Sequence, residues 1–344
     1  MQQRRIGPFK VSALGLGCMN LSQIYGTPPS PEAAGALLLR ALDRGITFFD
    51  SAALYGFGAN ETLLGRFLKP HRARIVLASK CGMTGVDGKR VIDGRPDMLK
   101  RTCEESLQRL QTDVIDLYYL HRLDQRVPIE DSMGALSDLV RAGKIRSIGL
   151  SEVSAATLRR AHAVHPVTAM QSEYSLWTRN PEIAVLDACR ELDVAFVAFS
   201  PLARAYLTDT LHDPDAQLEA TDLRRQMPRF DPANYAKNLD LLPEYMSIAN
   251  EVGCTPAQLA LAWLLAQGDN IIPIFGTRQP EHLDDNVEAA AVTLERGFIA
   301  RLNALINQQT VAGPRYNAIT QQDIDTEMFR NENAASGLLA GECP

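Results

Sequence analysis

Short apolar runs alternate with longer amphipathic stretches along almost the whole chain. The apolar runs at Leu14–Gly17, Thr47–Phe49, Ile75–Ser79, Ile115–Leu120, Ser147–Leu150, Thr168–Gln171, Val194–Phe199 and Ile271–Ile274 read as strands. Between them the spacing predicts helices over Pro31–Arg44, Pro96–Leu110, Asp131–Ala142, Ser154–Ala163, Glu182–Leu192, Pro256–Gln267 and Pro280–Glu288. In the second of these, Leu99, Cys103, Leu107 and Leu110 recur at helical spacing and share one face. Proline opens several of the helices, where its missing N–H costs nothing. Ahead of the first run, Arg4–Ile6 and Phe9–Val11 flank Gly7-Pro8 and read as a small hairpin.

Strand then helix, repeated about eight times, implies parallel strands joined by crossover helices. An open dinucleotide-binding sheet would carry a GxGxxG turn opening a helix after its first strand. The nearest match starts at Gly15-Leu16-Gly17, but position 20 is Asn and no helix begins before about Pro31. The expected fold is therefore an α/β (β/α)8 (TIM) barrel, the hairpin covering its bottom. The chain reads as a single barrel domain from 1 to 344. Two segments break the rhythm. Ala203–Pro232, after the seventh strand, is long, polar and proline-containing, a length that points to function or disorder. Thr310–Pro344 follows the last helix and reads as a C-terminal arm or tail.

Composition narrows the function without specifying it. With 46% hydrophobic and 22% charged residues, the chain of 344 residues can bury an enzyme-sized core. A net charge of -6 excludes the basic surface that a nucleic acid or an anionic membrane surface requires. No apolar run approaches a membrane span, and the N-terminus does not read as a signal peptide. The six cysteines, Cys18, Cys81, Cys103, Cys189, Cys254 and Cys343, are scattered without a CxxC pair or a Cys/His cluster. They fit reduced thiols in the cytoplasm and no metal site.

In such a barrel, chemistry sits where strands end at the C-terminal rim. The predicted strands end at Asp50, Lys80, His121, Ser151, Gln171 and Ser200, with Tyr55 just past Asp50. Reducing a carbonyl takes a hydride and a proton. A phenol with a pKa near ~10 moves protons poorly at neutrality, and an adjacent ammonium lowers that value. Lys80 is placed to supply the ammonium, Asp50 to keep it charged, and His121 to hydrogen-bond the substrate oxygen. Each residue alone has an ordinary reading: Asp50 as a turn cap, Lys80 as a rim ion pair, His121 as a core histidine, Tyr55 as a loop aromatic. Their sharing of one rim, which rests on the barrel, favours the chemical reading.

These residues lie in motifs that resemble the aldo-keto reductases, closest to the bacterial and plant branch. The motifs are Phe49-Asp50-Ser-Ala-x-x-Tyr55-Gly56, Asn60-Glu61-x-Leu63-Leu64-Gly65, Ser79-Lys80, Asp116-Leu-Tyr-Tyr-Leu-His121-Arg122, Gly143-Lys-Ile-Arg-Ser-Ile-Gly149-Leu-Ser151 and Phe199-Ser200-Pro201-Leu202. Gly17-Cys18-Met19 fits that branch, and the resemblance runs from about Ile6 to Leu305. It implies a catalytic tetrad at Asp50, Tyr55, Lys80 and His121. It also implies an NADP cofactor lying extended across the barrel mouth, against Gly17, Cys18, Met19 and Asp50. Ser151 and Gln171 would reach the carboxamide, and Ser200, Pro201 and Leu202 would line the pyrophosphate path. Tyr174 is a further candidate against the nicotinamide ring.

Gly276-Thr277-Arg278 ahead of a helix starting at Pro280 makes an anion site on physical grounds. The resemblance gives it to the adenosine 2'-phosphate, with Asp285 and Asn286 at the adenine, and so favours NADPH over NADH. Two departures from the family pattern stand out. Glu152 follows Ser151 where the family often has Asn, and Ala203-Arg204-Ala205 replaces a glycine-rich loop. Alanine takes positive φ less readily than glycine, so the loop path would differ, with Arg204 compensating at a phosphate. Met19, Leu54, Tyr55, Tyr119, Arg122 and Trp177 are candidates for the substrate pocket, with Trp177 reading equally as an interface or packing aromatic. Their apolar character suggests small-molecule aldehydes or ketones, or the matching alcohols, with hydrophobic surface. Two other readings compete: an NADPH-binding regulatory subunit with slow turnover, like the potassium-channel β-subunits, and a Schiff-base lyase using Lys80 as nucleophile.

Overall fold

The structure, a computed structural model, describes residues 1–22, 25–86, 88–330 and 332. Eight parallel strands close into a barrel: β3 (Gly15–Gly17), β4 (Phe48–Asp50), β5 (Val76–Cys81), β8 (Ile115–Leu120), β9 (Ile145–Ser151), β10 (Val167–Glu173), β11 (Ala195–Phe199) and β12 (Ile271–Phe275). Each pairs with its neighbour in sequence order, and β12 closes the ring on β3 through Ile274↔Gly15 and Phe275↔Leu16. Each expected strand is one of these eight, within a residue or two at its ends. The hairpin is β1 (Gln3–Ile6) and β2 (Phe9–Ser12). Its Ile6 and Val11 pack into the barrel interior with Phe48, Val76, Leu117 and Val197. Arg4 donates to the carbonyls of Gly268 (2.7 Å) and Leu265 (2.6 Å) just ahead of β12, which fixes the hairpin as the floor of the barrel.

The expected helices form as α1 (Pro31–Asp43), α3 (Pro96–Leu110), α4 (Ile129–Arg141), α5 (Ala155–Val164), α6 (Val185–Glu191), α10 (Pro256–Leu265) and α11 (Pro280–Glu288). Their starts follow from local chemistry. Ser30 accepts from the Ala33 N–H ahead of Pro31, and Thr255 and Gln258 form a reciprocal capping box ahead of α10. The pattern did not resolve α2 (Ala59–Leu68), α7 (Pro214–Gln217), α8 (Pro232–Leu239), α9 (Leu242–Val252), α12 (Arg296–Leu305), α13 (Ala318–Gln321) or a second hairpin, β6 (Met83–Val86) with β7 (Lys89–Ile92). Helix α2 explains the Asn60-Glu61 motif. Asn60 Nδ2 donates to Cys18 O (2.8 Å) and Asn60 Oδ1 accepts from Ser51 Oγ (2.7 Å), tying the rims of β3 and β4 together. Buried Glu61 pairs with Arg109 of α3 at 2.7 Å. A Cβ on Gly65 would come within 2.3 Å of the Arg109 carbonyl oxygen, so α2 and α3 can pack this closely only with glycine there.

The two irregular segments are built into the barrel top. In the loop after β11, Ser200, Ala203, Arg204 and Ala205 all take positive φ, 50°, 50°, 57° and 79°. Alanine thus adopts the left-handed path that glycine would take more cheaply. Side chains hold the path: Arg204 pairs with Glu173 at 2.7 Å and donates to Tyr25 Oη at 2.6 Å, while Arg224 Nη1 caps the Arg204 carbonyl at 3.1 Å. The described part of the C-terminal segment is a docked arm. Its Arg315 bridges Glu152 (2.8 Å) and Glu173 (3.1 Å), all three buried, and its Asp325 accepts from Ser154 N (3.1 Å) at the start of α5. The two carboxylates and two guanidiniums of Glu152, Glu173, Arg204 and Arg315 balance in charge. Glu152 has φ 56°, a region Asn tolerates better than Glu, and its hold on Arg315 accounts for the substitution at this site.

Removing one member of this cluster leaves a buried charge unmatched. Arg315→Ala should destabilise the fold by about 3–5 kcal/mol in urea unfolding, as expected for a broken buried pair. A loss below about 1 kcal/mol would mean the arm contributes nothing to the barrel. Burial alone would raise the Glu173 carboxyl, but Arg204 and Arg315 overcome this and bring it down to about 2. A lowered folded pKa stabilises above the ordinary carboxylate range, so this contribution should fade as pH falls from there toward about 2.

Candidate active site

Strand ends put the polar groups on one rim. Asp50 closes β4 in register with Ala78, Lys80 lies two residues on in β5, and His121 follows β8 with its N–H on the Cys81 carbonyl (2.8 Å). Tyr55 is delivered by a tight turn after β4. Ala53 N binds the Lys80 carbonyl (3.2 Å), Tyr55 N binds Ala52 O (3.1 Å), and the chain then reverses through Gly56 and Gly58 at φ 57° and 95°. The glycines let the turn close with the phenol folded inward over β5.

The four side chains meet. Lys80 Nζ, fully buried, donates to Asp50 Oδ1, to the Ser51 carbonyl (2.9 Å) and to Tyr55 Oη (3.1 Å). The second Asp50 oxygen accepts from Gln171 Nε2 at 2.8 Å. The Tyr55 and His121 rings stand edge to face at 5.8 Å. Burial pulls the Lys80 pKa down, but Asp50 and Tyr55 push it up by more, so the ammonium is held above its ordinary range. For Tyr55 the expected lowering is reversed. Burial raises the phenol and Asp50 adds to this, while Lys80 offsets only part, so Tyr55 stays protonated above the ordinary tyrosine value. Burial, then Arg122, Lys80 and Arg90, hold His121 well below the ordinary imidazole value, and its buried Nδ1 has no hydrogen-bond partner among the described residues.

Asp50, Tyr55 and His121 line one end of a cavity of about 780 Å³. That volume is typical of ligand and cofactor sites. Its walls carry nearly every residue the sequence singled out for cofactor: Gly17, Met19, Ser151, Gln171, Ser200, Pro201, Leu202, Arg204, Gly276, Thr277, Arg278, Asp285 and Asn286. Cys18 is placed elsewhere. Its side chain is sealed in the core on the Leu16 carbonyl, and only its backbone serves the rim, binding the Asp50 carbonyl at 2.9 Å. Arg204 reaches the wall with its charge already matched by Glu173, so it is not free for a phosphate. Tyr174 is packed against Phe196 and Trp263 with its hydroxyl on Glu182 (2.7 Å), away from the wall; Phe199, in register with Glu173 on the neighbouring strand, does line the cavity. Trp177 stacks on Tyr206 at 4.3 Å as a packing residue, and Tyr119 is buried behind the wall. Met19, Leu54, Tyr55 and Arg122 do line the cavity.

At the far end, Arg278 precedes the N-terminus of α11 and donates to the Thr27 carbonyl (2.7 Å), with no carboxylate partner among the described residues. A Cβ on Gly276 would meet the Asn20 side chain at 2.9 Å, so the chain packs against Asn20 here with no room for a side chain. Asp285 accepts from Thr255 Oγ1 (2.9 Å) and Gln258 Nε2 (2.9 Å), bracing the capping box. Several wall residues carried no sequence signal: Tyr25, Arg90 of the second hairpin, Gln226 and Met227 of the long loop, and Tyr316 and Ile319 of the arm. They come from segments without periodicity, and only the excess length of the loop and arm hinted at them.

Comparison with known proteins agrees with this architecture. Residues 13–307 match the Aldo/keto reductase family. An aldo-keto reductase of Schizosaccharomyces pombe, whose name specifies NADP(+), is 46% identical over 320 residues, 91% of this chain and 94% of that protein. A protein of Glycine max named probable aldo-keto reductase 1 is 41% identical over 90% of this chain and 89% of its own length. Among solved structures, a glycerol dehydrogenase from Gluconobacter oxydans superposes with a TM-score of 0.83 at 28% identity, covering 91% of this chain and 97% of that one. A Bacillus halodurans aldo-keto reductase in its holo form gives 0.75 at 27% identity, over 89% and 97%. A barrel with these rim residues, matched over most of its length, belongs to the aldo/keto reductase family.

Proposed function

We propose that this chain is an NADP-dependent oxidoreductase that reduces an aldehyde or ketone to an alcohol, reversibly, with Tyr55 as the proton donor. The observation that carries the reading is the Tyr55 hydroxyl 3.1 Å from the buried Lys80 ammonium, at the end of a cavity of about 780 Å³. The relative named for NADP(+) and the neighbouring glycerol dehydrogenase support the cofactor and the reaction class. No described helix is long and apolar enough to cross a membrane. We place the protein in the cytoplasm, its five described cysteines being free thiols, and take residues 1–344 as one functional unit.

The residues present fit the cofactor. Gly276 lines the cavity with backbone alone, Arg278 stands beside a helix N-terminus with no carboxylate partner among the described residues, and this pairing suits a 2'-phosphate. Ser151 and Gln171 would hold the carboxamide, Phe199 would support the ring, and Ser200 to Leu202 would follow the pyrophosphate. Gly17 and Met19 would wall the reacting end, and Asp285 and Asn286 the adenine end. When bound, NADPH supplies the hydride. The chain's own residues supply the rest. His121, neutral, hydrogen-bonds the carbonyl oxygen and orients it. Tyr55 gives that oxygen its proton, and the Lys80 ammonium steadies the phenolate that remains. Asp50 keeps Lys80 charged and also fixes Gln171. Lys80 with three acceptors and a raised pKa is not a free amine, which weighs against a Schiff-base role.

Tyr55→Phe should lower carbonyl reduction by about 10²–10⁴-fold while leaving NADPH binding, followed by fluorescence, within a few-fold. Equal rates in the two proteins would remove Tyr55 from the chemistry. Because the Tyr55 pKa is raised, reduction should be level through neutrality and fall only in the alkaline range, while alcohol oxidation, which needs the phenolate, rises there. Lys80→Met removes the one nearby cation bonded to the phenol and should push both transitions to still higher pH; an unshifted profile would mean that Lys80 does not act on Tyr55.

Arg278→Gln should weaken NADPH binding by about ten-fold or more and NADH binding little, measured by fluorescence titration. An equal loss for the two cofactors would place the 2'-phosphate elsewhere.

A further inference from the structure

Five arginines line the cavity, and the company they keep separates them. Arg90 pairs with Asp323, Arg204 with Glu173 at 2.7 Å, and Arg224 with Asp222 at 2.7 Å. Arg122 and Arg278 have no carboxylate within ion-pair distance among the described residues, and they sit at opposite ends. Arg278 faces the proposed 2'-phosphate. Arg122 follows His121 directly, and its charge is felt by His121, Tyr55 and Glu152. Its Nη1 donates to the His121 carbonyl (2.7 Å) and to Ser151 Oγ (3.3 Å); Nε and Nη2 find no acceptor among the described residues. Glu152 is close enough to feel the charge but is bridged to Arg315 in the balanced cluster described above, so Arg122 stays in excess.

A half-buried guanidinium with open donors on a cavity wall and no carboxylate partner among the described residues offers a site for an anion. The cofactor cannot provide one at this end. Its phosphates would lie toward Arg278, and nicotinamide is neutral when reduced and cationic when oxidised. The anion must arrive with the substrate. We propose that the preferred substrates are oxo acids, that is aldehydes or ketones carrying a carboxylate a few bonds from the carbonyl. In this arrangement Tyr55 and His121 take the carbonyl oxygen, and Arg122 takes the carboxylate. Leu54, Met19 and Met83, which pack beside Tyr55, receive the apolar stem between them. The inference rests on the reductase reading. It adds to the expected hydrophobic surface of the substrate a charge at a defined place.

The test uses matched aldehydes: 3- and 4-carboxybenzaldehyde, each against its methyl ester, with NADPH and the full-length protein. The esters are intrinsically the more electrophilic aldehydes, so a preference for the acids comes from binding. The wild type should favour the acid in kcat/KM by about ten-fold or more in at least one pair, and Arg122→Gln should collapse that ratio by a similar factor, with Arg122→Lys in between. The dissociation constant of NADPH, read by fluorescence without any aldehyde, should be the same in Arg122→Gln within about two-fold. No preference in either pair, or a ratio that survives Arg122→Gln, overturns the proposal. So does a variant that binds NADPH more weakly and loses acid and ester equally, because Arg122 would then act through Ser151 on the carboxamide. If no aldehyde of the four oxidises NADPH in the wild type, the reductase reading itself falls, a result distinct from all of these.

Discussion

An ammonium with no access to water is tolerable inside a protein only beside an anion that is itself fixed in place. Lys80 and Asp50 meet that condition on adjacent strands of the barrel, and their bond depends on the register Asp50↔Ala78. A slip of one residue would turn one of them outward and leave the other as an unmatched buried charge. The pair thus ties the electrostatics of the rim to the closure of the barrel. It also organises its neighbours: the free edge of Asp50 fixes Gln171 from the opposite side of the ring, and Lys80 holds the Tyr55 hydroxyl and the Ser51 carbonyl.

The second charge cluster solves a different problem. Glu152, Glu173, Arg204 and Arg315 join the ends of β9 and β10, the loop after β11 and the C-terminal arm. Three consecutive residues of that loop stand at positive φ without a glycine among them, at a cost of order 1 kcal/mol each. Such a path persists only when surrounding contacts over-determine it. Here a buried guanidinium from within the strained stretch, matched by Glu173 and braced by Tyr25, does so. The sequence departures at Glu152 and at the alanine loop are therefore one structural feature. The carboxylate that replaces Asn holds the arm, and the arm's arginine joins the carboxylate that holds the loop.

The fold and the four rim residues were legible because both follow from short-range rules. Period-two and period-3.6 patterning marks strands and helices, and a polar residue at the end of a strand is fixed by the barrel geometry to the C-terminal rim. Helix α2 escaped because its face is mixed, with buried Asn60 and Glu61 among its leucines. Tyr174 and Trp177 stay open in the sequence because an aromatic after a strand looks the same whether it packs inward, as Tyr174 does on Trp263, or opens to a ligand. The Gly17-Cys18-Met19 motif does not say which way each side chain turns, and the Cys18 thiol turns inward, onto the Leu16 carbonyl. The cavity wall contributed by residues 316–320 was out of reach, since nothing in a polar terminal segment states where it docks. The pairing of Arg315 with two acids more than a hundred residues away decides it.

The direction of the Tyr55 shift bears on how the proposed roles divide. A cation beside a phenol invites the expectation of a lowered pKa, and it does act in that direction, but complete burial and the Asp50 charge outweigh it. The same field treats the imidazole in the opposite way. Burial and three cations, Arg122, Lys80 and Arg90, all oppose a proton on His121. A neutral imidazole has one hydrogen-bonding N–H and no proton to give away cheaply, whereas a phenol kept protonated next to an ammonium has a proton to give and a cation ready to receive the charge left behind. One arrangement of charge thus favours tyrosine as the acid and histidine as the orienting group, and it does so because both rings are buried and both feel the Lys80 charge.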